Sequence, residues 1–126
     1  MVSVSAIQST PGMTWERISH LTPMKFTDWE QAKQSAEHTK SQEKVVHSGT
    51  DHGFIFLRLT YLRGFEKFML DTAEERPELE ELIEIVENYW FEVVRRWIEI
   101  GADIIGFGDD LGLKNALPMS PDTWRR

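Results

Sequence analysis

Apolar positions recur with a helical period along most of the chain, most clearly over residues 75–100. There Leu79, Leu82, Ile83, Val86, Tyr89, Trp90, Val93, Val94, Trp97 and Ile100 form one broad stripe at amphipathic-helix spacing. Pro77 stands near N1, acids crowd the first turns, Arg95 and Arg96 occupy the last, and Gly101 follows as the C′ residue. Phe91 and Ile98 lie a heptad apart and off that stripe, which predicts a neighbouring helix or another chain over them. Residues 28–42 predict a surface helix, because Thr27 and Glu30 have capping-box spacing and Trp29, Ala32 and Ala36 share a face. Residues 54–70 fit strand alternation or a helical stripe through Phe54, Leu57, Tyr61, Phe65 and Phe68, and helix is preferred.

Two short runs break the period. Residues 44–48 (KVVHS) are rich in β-branched side chains and closed by Gly49, and residues 104–107 are apolar and flanked by glycine, so both predict buried strands. Ser120 with Pro121 at N1 opens a last helix. The order β, α, α, β, α predicts parallel pairing with a right-handed crossover, hence an α/β layer fold or a piece of one. Residues 1–26 lack a sustained period and read as an irregular arm that packs through Trp15, Ile18 and Leu21, leaving 27–126 as the domain. The helix begun in MSPDTWRR and the open edges of the two predicted strands predict an interior segment of a larger sheet protein.

Composition narrows the function classes. The 126 residues, 40% hydrophobic and 28% charged, suit one globular unit. Fourteen basic against 21 acidic residues give a net charge of −7 with no basic cluster, which argues against a nucleic-acid surface. Neither an apolar run of membrane-spanning length nor a signal-peptide pattern occurs, so the expected compartment is the cytoplasm. With no cysteine, chemistry falls to carboxylates, His, Tyr, Lys or Arg.

Asp109 and Asp110 stand at the carboxyl end of the second predicted strand, where α/β proteins place ligands; adjacent carboxylates there either bind a cation or ligand, or cap a turn. His47, Asp51 and His52 bracket the end of the first, as a metal or acid–base group or as residues satisfied by backbone and water. Gly106, Gly108 and Gly112 do not make a nucleotide loop, because Leu111 takes the third glycine position of G-x-G-x-x-G. Arg58, Arg63 and Lys114 either meet an anionic substrate or pair at the surface, with Arg63, in YLRG, the first choice for substrate.

The stretches YLRGFEKFMLD, RPELEELIEIVENYWFEVVRRWIEIGADIIGFGDDLG and MSPDTWRR together resemble the uroporphyrinogen decarboxylase superfamily, which includes corrinoid-linked methyltransferases. The similarity runs from about residue 27 to 126 and is most specific after Gly49. It implies a partial (β/α)8 barrel, two parallel strands joined by long crossover helices, with Asp109, Asp110, Arg63 and His52 as substrate-binding residues at its mouth. It also implies a tetrapyrrole or corrinoid-linked substrate, and decarboxylation or cobalamin-dependent methyl transfer. Most catalytic residues of the family have no counterpart here, so the chain alone is expected to be inactive. Zinc and cobalamin belong to full-length methyltransferase relatives, whose ligands find no match here. Asp109 stands where the decarboxylases carry a substrate-contacting serine, and Ser48, Gly49 and Thr50 stand where their substrate tyrosine is expected. The reading from a different class is a non-catalytic module that buries its open edges and the Phe91 and Ile98 patch in a homo-oligomer or on a complementing chain.

Overall fold

A computed structural model describes residues 13–18, 29–48 and 52–125. Among the described residues six helices follow one another: α1 (Trp15–Ile18), α2 (Trp29–Ser41), α3 (Phe56–Arg63), α4 (Phe65–Ala73), α5 (Pro77–Ile100) and α6 (Pro121–Arg125). The two long helices read from periodicity are present as α2 and α5, and α5 ends at Gly101 in the left-handed region, φ 83°, where a side chain would be strained. The single helix expected over 54–70 is two. Gly64, at φ 84° and ψ 139°, turns the chain between them, its N–H closing α3 on the Thr60 carbonyl and its own carbonyl accepting from Phe68. Thr27 and Leu21, assigned to a capping box and to arm packing, lie outside the described residues.

The core follows from α5. Its stripe buries Leu79, Leu82, Val86, Tyr89, Trp90, Val93 and Trp97, with α2 and α3 packed against it and α4 against α3. Phe56, Leu59, Leu62 and Phe68 complete the cluster, and each large side chain removed from water contributes about 1.5–3 kcal/mol. Phe91 and Ile98 remain 71% and 62% exposed. On the wet face Glu92 accepts from Arg95 and Arg96, and those hydrogen bonds lower its carboxyl to about 2.

The expected α/β architecture is not what forms. Among the described residues there is no strand, and the fold is a small, mostly helical one rather than a partial (β/α)8 barrel with parallel strands. The two β-branched and glycine-flanked runs do lie side by side and parallel, but they share only an isolated bridge between His47 and Ile104. Val46 accepts from the Asp103 and Ile104 N–H groups, and Ser48 N–H reaches the Ile104 carbonyl at 2.9 Å. Next to the bridge the Gly106 N–H donates to the Ser48 hydroxyl at 3.2 Å. Two residues on, the Gly108 carbonyl accepts from Gly53 and Phe54.

Arg63, expected at a substrate mouth, is part of the frame. Its Nε and Nη2 grip the Asp71 carboxylate at 2.5 and 3.2 Å, Nη1 donates to the Met13 carbonyl at 2.8 Å, and the guanidinium stacks over Trp15 with 4.4 Å to the ring centre. The pair is buried and fastens residues 13–18 to the junction of α3 and α4. Replacing the fully buried Leu82 by Ala is expected to cost about 2–5 kcal/mol in urea unfolding, whereas Ile98→Ala stays within about 0.5 kcal/mol. Equal losses at the two positions would overturn this account of the core.

Candidate functional site: a two-histidine strip at the end of the bridged segments

The parallel bridge brings the carboxyl ends of both segments to the same side, where residues 104–110 run past the entrance to α3. Asp109 closes that corner. Its Oδ2 accepts the N–H groups of Ile55 and Phe56 at 2.9 and 2.8 Å, and its Oδ1 accepts that of Leu57 at 2.9 Å. A carboxylate distant in sequence therefore does what no residue at the helix start does, since Ile55 at the N-cap has no side-chain acceptor. The same Oδ1 accepts from Asp110 N–H at 3.1 Å, which directs the Asp110 side chain away from the helix and into solvent.

Two imidazoles lie along the strip. A Cβ on Gly106 would come within 2.9 Å of His47 Nε2, and one on Gly108 within 3.0 Å of His52 Nδ1. Alternate positions of an extended segment face the same way, so the two glycines form a floor on which both rings rest. His52 Nε2 stands 3.7 Å from Asp110 Oδ2, both side chains being largely exposed. Ser48, 2% exposed, ties the two segments beneath them through its hydroxyl. The strip can bind a polar group between imidazole and carboxylate and pass a proton across it.

Of the four residues expected at a mouth, the structure brings His52 and Asp110 together, places Asp109 beside them with its oxygens bonded to backbone, and puts Arg63 in the buried pair with Asp71. His47 joins them, while Asp51 lies outside the described residues. Ser48 was missed as a site residue; its signal was its place at the end of a β-branched run. Lys114 is exposed in the loop after the strip. Among the described residues no three His, Asp or Glu side chains converge as metal ligands.

A separate cavity of about 460 Å³ opens between α3, α4, α5 and α6. Phe56, Leu59, Phe68, Leu79, Met119 and Trp124 line it, and neither histidine nor either aspartate of the strip reaches it. Among the described residues no helix is long and apolar enough to cross a membrane. Compared with family models, curated proteins and solved structures, the chain matches none.

Asp109→Ala is expected to lower stability by about 2 kcal/mol through the uncapped start of α3, while Asp110→Ala changes it by less than about 0.5 kcal/mol. Chemical denaturation of the two variants checks this. A stable Asp109→Ala protein would mean that the corner holds without its carboxylate.

Proposed function

We propose that this chain is a ligand-binding part of a uroporphyrinogen-decarboxylase-like protein, acting on tetrapyrrole or corrinoid-linked small molecules and inactive by itself. The observation that carries the reading is the meeting of His52 and Asp110 on the glycine floor, at the common carboxyl end of two parallel segments. Motif resemblance supplies the substrate class, and the strip supplies chemistry suited to it. An imidazole beside a carboxylate can hold a pyrrole N–H on the oxygen and a ligand carboxylate on the protonated ring, and can deliver a proton to a carbon that has lost carbon dioxide. Methyl transfer would use the same groups for binding.

The reading as a non-catalytic interaction module is favoured by a different observation. Phe107, Leu111, Leu113 and Leu117 all follow the bridge and are between 44% and 54% exposed, and Ile104 and Val45 in the bridged segments are exposed too. Exposed apolar side chains in one stretch of chain are what an associating surface offers. Both readings expect further polypeptide, a second copy or a complementing chain, over this flank.

Absorbance titration of the full chain with uroporphyrin and with hydroxocobalamin separates them. A saturable band shift with one probe, weakened about tenfold or more by His52→Ala and by Asp110→Asn, is the expected result. Absence of saturable binding to both, together with concentration-dependent self-association in sedimentation, would replace the small-molecule reading by the interaction module.

A further inference from the structure

Arg58 carries a buried charge that the described residues do not answer. It is 2% exposed, on the face of α3 that meets α5, with its guanidinium carbon 5.8 Å from the centre of the Trp90 ring. Neither Nε nor Nη2 has a hydrogen-bond partner among the described residues. Contact with the ring face offsets part of the charge, but it satisfies neither donor. Leaving such donors buried and unbonded costs on the scale of a lost charged hydrogen bond for each.

A second arginine of the same helix shows what that edge of the group is made for. Arg63 uses the same two nitrogens, Nε and Nη2, to hold both oxygens of the Asp71 carboxylate. The two donors on that side of a guanidinium are parallel and spaced for a single carboxylate, a match that a lysine ammonium cannot make. In Arg63 the fork is filled from within the chain. In Arg58, five residues earlier, the equivalent fork has no hydrogen-bond partner among the described residues.

We propose that the Nε and Nη2 fork of Arg58 is a recognition site for the carboxylate of a small molecule, distinct from the His52 and Asp110 strip. Aromatic rings gather around the Trp90 face that the guanidinium meets. Trp90 packs edge-on to Phe107 and against Phe54, and Phe107 is 47% exposed. Ring faces on one side and a bidentate cation on the other select a ligand that carries a carboxylate next to an apolar or aromatic body. The site stands whether or not the chain acts on tetrapyrroles, because nothing in it depends on His52 or Asp110.

The test is thermal unfolding of the full chain, of Arg58→Met and of Arg58→Lys in rising potassium benzoate, with potassium chloride and potassium phosphate at matched ionic strength. Arg58→Met is expected to be at least as stable as the parent without added anion, since it replaces an unanswered charge by an apolar side chain of similar length. Benzoate is expected to raise the Tm of the parent by about 3 °C or more beyond the chloride control, and to leave both variants at their control values. A benzoate response of equal size in Arg58→Met, or none in the parent, overturns the proposal. A phosphate response that matches benzoate overturns the choice of carboxylate. A marked loss of stability in Arg58→Met shows that the guanidinium is answered within the folded chain, and a Tm of the parent that rises with protein concentration and not with benzoate assigns the carboxylate to a second copy; either result refutes a small-molecule site. Arg58→Lys keeps the charge and loses the fork, so a full response there would also count against bidentate recognition.

Discussion

Three peptide N–H groups at the start of α3 converge on the single carboxylate of Asp109, and much of the molecule's arrangement depends on that convergence. A helix start leaves its first donors without intrahelical partners, and here the residue at the N-cap cannot supply an acceptor. The acceptor comes from a loop more than fifty residues later, so α3 can be capped only when residues 104–110 have reached it. Capping and long-range assembly are therefore one event. The same carboxylate fixes the direction of Asp110, and through it the approach to His52.

The same long-range character runs through the rest of the segment. After Ile104 the chain meets the Ser48 hydroxyl, then gives the Gly108 carbonyl to Gly53 and Phe54, and finally turns Asp109 into α3. Each of these contacts joins residues more than fifty positions apart, and together they hold the later segment against the earlier one. What is positioned is a corner, with two imidazoles resting on glycines at its surface.

The periodic parts of this fold were legible because period is a property of one segment at a time. The α5 stripe, its proline start and its glycine stop were readable without knowing any neighbour, and so was α2. Gly64 was visible as a residue but not as a break, since a glycine within an apolar stripe is compatible with a continuing helix until its φ is known. The strands failed for a complementary reason: β-branched composition describes what a segment tolerates, whereas a strand exists only if another segment pairs with it. At the site, the pairing of His52 with Asp110 was foreshadowed by their places at the ends of two predicted strands. The separation of roles between Asp109 and Asp110 was not, because two adjacent aspartates are equivalent in sequence and differ only in which one faces a helix terminus.

The two arginines of α3 show the same limit in a sharper form. Arg63 drew attention through its place beside Gly64, yet Asp71, Met13 and Trp15 account for every face of its guanidinium. Arg58 sits among apolar residues, and the helix that carries it is buried on several sides, with Phe56, Leu59 and Leu62 in the core beside it. What sequence cannot convey is whether a buried cation finds its anion, because the anion is contributed by whatever segment folding brings there. For Arg63 that segment is the following helix, close in sequence and already ordered by the core. For Arg58 no segment among the described residues supplies an acceptor to Nε or Nη2, and the guanidinium meets the Trp90 ring instead. Two arginines of one short helix, both buried, thus differ only in what folding brings to them: a carboxylate of the chain for Arg63, an aromatic ring for Arg58.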